Sequence, residues 1–196
     1  HMALCSPPLR PAEEQDALWQ GISDGTISLI GSDDCTYTYS EKSKYLERTK
    51  QGDLIQDYTV IPGGISGMEV RLNLMCDGVS KGKITINQLC AVTSANVAKV
   101  YGCYPQKGVI AAGSDADLVL LDMDQELVIS QENLHNNVDF CVYEGMKVKG
   151  GPVMTVSGGK VIVENGRFTG EKGAGRFIRR KLDKNYTAQF NLGEGK

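Results

Sequence analysis

From Lys107 onward, glycine recurs at Gly108, Gly113, Gly145, Gly150, Gly151, Gly158, Gly159 and Gly166 and cuts the apolar residues into short runs. The runs at 118–121, 146–148, 153–156 and 160–163 are rich in Val, Leu, Met and Ile, which predicts short strands bounded by turns. The pair Gly158-Gly159 between two of them is a tight hairpin signal, because the favoured two-residue turn needs positive φ at both positions. The spacing therefore predicts a small antiparallel sheet module over 106–181. A polar tail over 182–196 follows.

The first 105 residues have a different texture. Helix formers over 12–21 predict a short helix that stops near Gly25. Thr26-Ile27-Ser28-Leu29-Ile30-Gly31 is a β-branched and apolar run of the kind that forms a buried parallel strand. It leads straight into Ser32-Asp33-Asp34-Cys35, and in parallel α/β folds the carboxyl end of a strand is where chemistry sits. Residues 36–64 are polar, lack periodicity and are expected to form a long loop. Helical patterns return over 67–78, 86–92 and 95–101, with Thr93-Ser94 as the cap between the last two. The class predicted is α/β.

Charge and composition exclude several partners. A net charge of −3 gives no reason to expect nucleic acid, and the basic cluster Arg176, Arg179, Arg180, Lys181, Lys184 is expected to be a solvated tail or a subunit contact. No stretch approaches the roughly 20 apolar residues of a membrane span, and no basic-then-apolar secretory leader is present. The six cysteines contain no CxxC pair and stand singly among apolar residues, as thiols do in a reducing compartment. These features predict a cytoplasmic protein.

Few residues can carry chemistry. His135 stands alone in a polar segment, His1 belongs to a His-Met start that looks like a cloning remnant, and no HxH or HExxH pair can be written. No GxSxG elbow supports a serine nucleophile. Gly170, Gly173 and Gly175 have the wrong order for a phosphate loop. Asp33 remains. A carboxylate just past a buried strand can be a metal ligand or a general base, or a loop residue that binds neighbouring amides, and Asp34 carries the same ambiguity.

A resemblance goes further. Cys5-Ser6-Pro7-Pro8-Leu9-Arg10 resembles the SPPLR motif of dihydropyrimidinases and hydantoinases, members of the cyclic amidohydrolase superfamily, and Gly31-Ser32-Asp33-Asp34-Cys35-Thr36 follows at that family's spacing. Ile61-Pro62-Gly63-Gly64 with Gly67-Met68-Glu69-Val70-Arg71 is similar to IPNG…GVEDR. The segments 93–99, 104–108, 113–117 and 144–146 also match in order, so the likeness runs over most of residues 4 to 181.

The resemblance implies a (β/α)8 barrel with a β-sandwich built from both chain ends. Residues 1–105 would be the carboxy-terminal portion of the barrel, 106–181 the larger share of the sandwich, and the chain a carboxy-terminal fragment. It implies hydrolysis of dihydropyrimidines or hydantoins to N-carbamoyl amino acids with two divalent metal ions, usually zinc. Asp33 matches the family's last metal ligand, an aspartate that also carries a proton from the attacking water to the leaving nitrogen. Ser6 and Gly63 match residues whose backbone holds the cyclic amide, Gly63 standing where the family usually has Asn. Asp34 stands where relatives carry His or Asn and is expected to add negative charge near the metals. The family's histidines and lysine have no counterpart here, so the isolated chain is expected to be inactive. Self-association is expected, as tetramers in the family and through apolar strands left open in an incomplete barrel. The alternative is a non-catalytic dihydropyrimidinase-related scaffold protein. Such proteins lack the aspartate that Asp33 matches, which favours the enzyme.

Overall fold

The computed structural model describes residues 1–44, 46–48, 54–55 and 59–181, so the tail expected at 182–196 lies outside the described residues. A single 3-10 turn at Ala12–Glu14 runs into helix α1 (Gln15–Ser23), which ends before Asp24-Gly25 near the expected stop. Ile22 on its inner face is buried and Trp19 packs beside it.

The run 26–31 forms no strand, against expectation. A strand needs a neighbour to take its backbone groups, and here helical segments take them instead. Ile27 N donates to Gly21 O (2.8 Å), Ile30 N donates to Val92 O (3.0 Å), and Ser28 O accepts from Asn96 Nδ2 (2.8 Å). Ile27 and Ile30 still pack on the main core, so the apolar pattern is satisfied without a ladder.

The segment expected to be a loop also carries structure. Helix α2 (Tyr39–Ser43) opens with a capping box in which Thr38 Oγ1 accepts from Glu41 N (3.3 Å) and Glu41 Oε2 accepts from Thr38 N (2.7 Å). Beyond it, β1 (Glu47–Arg48) and β2 (Leu54–Ile55) pair antiparallel.

Helix α3 (Arg71–Ser80) starts four residues later than the predicted 67. A second capping box, Thr85 with Gln88, starts α4 (Ile86–Cys90). No break follows at Thr93-Ser94. The chain continues through a π turn (Ala91–Ala95) into α5 (Asn96–Val100), and Thr93 Oγ1 donates back to Leu89 O (2.7 Å) rather than capping a new helix. Val92 O, within this turn, accepts from Ile30 N.

The glycine-punctuated half forms one antiparallel sheet in the order β3 (Leu118–Val128), β4 (Lys147–Ser157), β5 (Lys160–Glu164), β6 (Arg167–Phe168). The runs 146–148 and 153–156 are two parts of the single strand β4. Pro152 is tolerated inside it because it sits at a register shift, before β5 begins to pair at Met154. The hairpin lies where it was expected: Ser157 pairs with Lys160, and Gly158 (φ 56) and Gly159 (φ 81) form the turn.

Helix α3 packs on β4, and the contact is close because Gly150 and Gly151 have no side chains. A Cβ on Gly150 would come within 2.9 Å of Cys76 Cβ, and one on Gly151 would collide with the Asn73 amide. Asp77 Oδ1 accepts from Lys149 N (3.1 Å) and fastens the helix to the strand. The main core gathers Ile22, Met75, Cys76, Ile84, Leu89 and Val92, with Leu121 and Met123 reaching in from β3. A second cluster joins Val70, Ile129 and Val148. Each such aliphatic side chain contributes about 1.5–3 kcal/mol when fully buried. Both clusters draw on both halves of the chain. Lys107 pairs with Asp115 (3.0 Å) and with Asp117, and Arg176 also meets Asp115, so part of the basic cluster holds the segment after β6. No helix among the described residues is long and apolar enough to cross a membrane.

Candidate active site

Asp33 is the one residue of its segment with a strained backbone. Its φ is 44, in the left-handed region that non-glycine residues enter rarely and at a cost of about 1–3 kcal/mol. Its side chain is exposed, and among the described residues no donor engages the carboxylate. Its neighbour behaves differently. Asp34 Oδ1 accepts from the amides of Gly67 (2.7 Å) and Met68 (3.0 Å) in the turn before α3. The Asp34 carboxylate is thus tied by two amides to the turn before α3. Anchored at Asp34, the chain holds Asp33 outward in its left-handed turn.

Three segments converge around this turn. Gly64 N donates to Leu4 O (2.9 Å), and Cys35 N donates to Ile65 O (3.4 Å). The segment 61–65 thus lies between the one that carries Ser6 and the one that carries Asp33. Gly64 is buried, and a Cβ there would collide with the Cys35 carbonyl. Gly63, beside it, is exposed, and a Cβ on it would meet open space. A backbone contact at position 63 therefore does not require glycine. Ser6 is exposed as well. The structure brings together the segments that carry Ser6, Asp33 and Gly63. An apolar groove elsewhere, lined by Glu69, Leu127, His135, Met154 and Phe168, includes none of the three.

Beneath the convergence lies a residue that sequence reading passed over. Lys42 of α2 is 0% exposed, and its Nζ donates to Leu4 O (2.9 Å). Burial pushes its ammonium below the ordinary lysine value, while Cys5 and Cys35 act in the opposite direction. The Tyr37 phenol is held above its usual value by its hydrogen bond to Cys35 and by that group's charge. The signal that could have located α2 was the Thr38-x-x-Glu41 capping box. Nothing in the local sequence announces that its lysine points inward.

Among the described residues, no group of three or more His, Cys, Asp and Glu side chains gathers to enclose a metal ion. A metal ion held here by Asp33 would draw its remaining ligands from elsewhere. The exposed carboxylate suits a single ligand of that kind.

The fold is shared with known proteins. The model of the amidohydrolase family matches residues 3–162, and the chain belongs to that family. A D-phenylhydantoinase of Escherichia coli O1:K1 / APEC is 41% identical over 179 residues, which are 91% of this chain and 37% of that protein. The crystal structure of dihydropyrimidinase from Brevibacillus agri NCHU1002 superposes with a TM-score of 0.83 at 41% identity, over 92% of this chain and 38% of that one. D-hydantoinase (dihydropyrimidinase) from Thermus sp. gives a TM-score of 0.82 at 38% identity, over 91% of this chain and 37% of that one. The chain thus spans well under half the length of these relatives.

Proposed function

We propose that this chain is the carboxy-terminal part of a hydrolase that opens cyclic amides, dihydropyrimidines and hydantoins, to N-carbamoyl amino acids. The observation that carries the reading is Asp33, an exposed carboxylate with no partner among the described residues, on a left-handed turn whose next residue is tied down. Strain of this kind persists where a position has work to do. Relatives at 41% identity that are named for hydantoin and dihydropyrimidine chemistry support the substrate class.

In this reading residues 1–105 are the last part of a (β/α)8 barrel and 106–181 the larger share of a β-sandwich. The apolar run 26–31, which pairs with no strand here, then takes its place beside barrel strands of a longer polypeptide. The longer polypeptide is cytoplasmic, acts in pyrimidine breakdown and assembles as a homotetramer.

Asp33 has two duties. It is one ligand of a pair of divalent metal ions, zinc by family resemblance, and it carries a proton from the attacking water to the ring nitrogen that leaves. The metals supply polarisation of the ring carbonyl and a water that ionises near neutral pH. Water adds to the carbonyl carbon, the carbon–nitrogen bond of the ring breaks, and the proton taken by Asp33 ends on the nitrogen. The backbones at Ser6 and Gly63 hold the amide edge of the ring. With one of the metal ligands, the 196-residue chain by itself opens no ring.

The test is metal content together with ring opening of dihydrouracil and hydantoin, on this chain and on the longer polypeptide. The expected result is about two metals and turnover in the longer polypeptide and neither in the chain alone. A longer polypeptide that binds no metal and opens no ring replaces this reading with the non-catalytic scaffold relative.

A further inference from the structure

We propose that Lys42 is a positioning residue for this site: from beneath the loops its ammonium holds the Leu4 carbonyl, and through it the spacing of the segments that carry Ser6, Asp33 and Gly63. The proposal rests on the reading of those three residues given above.

A lysine with no exposed surface is rare, because the charged head is costly to bury unless something holds it. Lys42 has no carboxylate within ion-pair distance among the described residues. It donates to a backbone carbonyl instead. That carbonyl is shared. A carbonyl oxygen has two lone pairs, and Leu4 O accepts from Lys42 Nζ and from Gly64 N, each at 2.9 Å. Ile65, next along, accepts from Cys35 N, two residues past Asp33. The Leu4 oxygen thus joins α2 and the Ser6 segment to the Gly63 segment, which in turn takes the Cys35 amide of the Asp33 segment through Ile65 O.

The lysine is itself well anchored. The Thr38–Glu41 capping box fixes the start of α2, and Tyr39 N donates to Asp139 Oδ1 (2.7 Å), which ties the helix to the segment ahead of β4. The sheet half of the chain, α2, Lys42 and Leu4 therefore form a continuous support under the loops. Lys42 lies below them and acts through the backbone. A clamp of this kind sets the geometry with which the ring is held, so its loss weakens substrate binding more than it slows chemistry.

Two variants test this. Lys42→Met keeps the length of the side chain and removes the donor, whereas Lys42→Arg keeps a donor. Amide hydrogen exchange on the 196-residue chain is the first readout. In Lys42→Met the amides of Gly64 and Cys35 are expected to exchange at least about tenfold faster, the size of a lost hydrogen bond to a charged donor. The amides of Leu89 and Lys81 are expected to stay as they were, and Lys42→Arg to restore most of the protection. Equal acceleration everywhere, no acceleration at Gly64 and Cys35, or a Lys42→Met chain that does not fold each makes Lys42 a general stability residue and overturns the proposal. In the longer polypeptide, Lys42→Met is expected to raise KM for dihydrouracil about tenfold, with kcat and its pH profile little changed. An unchanged KM in an active enzyme overturns the link to the reaction. If the unsubstituted polypeptide opens no ring, the proposed reaction fails, and the exchange pattern still decides the clamp.

Discussion

Glu69 holds His135 at two points. One carboxylate oxygen accepts from the backbone amide of His135 at 2.8 Å, and the other meets the ring Nδ1 at 2.6 Å. The pair fastens the 131–135 segment to the turn ahead of α3, beside the buried cluster of Val70, Ile129 and Val148.

This clasp is sensitive to pH. The hydrogen bond to Glu69, then its charge, holds the His135 imidazole above its ordinary value of 6.5. A raised folded value means that the contribution of the clasp is full below about pH 6.5 and fades as pH rises through the raised value. An NMR titration should show His135 gaining its proton above pH 6.5 in the native chain, and Glu69→Gln should bring it down. A titration unchanged by Glu69→Gln contradicts the pairing.

Gly78 lies in α3 with the Trp19 ring against it, so close that a Cβ would collide with the ring carbons. In an open helix Gly→Ala stabilises by about 1 kcal/mol. Here overpacking opposes that gain, and Gly78→Ala is expected to destabilise by about 1–3 kcal/mol. Urea unfolding checks it, and a midpoint that rises would show that Trp19 swings aside freely.

Cys76 has no exposed surface, and burial, followed by the charge of Cys90, pushes its thiol up to about 11. Only the thiolate reacts with alkylating reagents. At pH 8, Cys35 and Cys90, both exposed, should be labelled by iodoacetamide well before Cys76, with mass spectrometry reading the order. Labelling of Cys76 at the rate of Cys90 in the folded chain would place it outside the core.

Asp34 carries two amides on one oxygen, and truncating it leaves both without a partner. Asp34→Ala is expected to cost about 2 kcal/mol, in the range of hydrogen bonds to a charged group, measured by the same urea unfolding. A variant as stable as the original would mean that water replaces the carboxylate without loss.

The parts of the fold legible in the sequence are those set by local chemistry. Gly158-Gly159 marked its hairpin because two positive φ values in a row favour glycine there. The helix formers ahead of Gly25 marked α1 for a similar reason. Errors arose where a partner decides. Residues 26–31 have strand composition, but a strand needs a neighbour, and Val92 and Asn96 took the backbone groups instead. Thr93 and Ser94 are good caps in isolation, yet Thr93 returns its hydroxyl to Leu89 and the helix runs on. At the site, motif resemblance singled out Asp33. The left-handed backbone at Asp33, the capture of Asp34 by two amides and the burial of Lys42 all depend on contacts between residues 33 to 38 positions apart or on a turn that they enforce.

The proposed division of labour gives Asp33 a part in the chemistry and Asp34 the holding of the loop. It is tested most directly by measuring hydantoin ring opening in the longer polypeptide with Asp33→Asn and with Asp34→Asn. Asparagine tolerates the left-handed backbone at position 33, so the fold should be undisturbed there. Asp33→Asn should lower kcat by about 10²–10⁴-fold with the unfolding midpoint unchanged, as befits the loss of a proton carrier. Asp34→Asn should lower the midpoint and leave most of the activity. Wild-type turnover in Asp33→Asn would contradict the account.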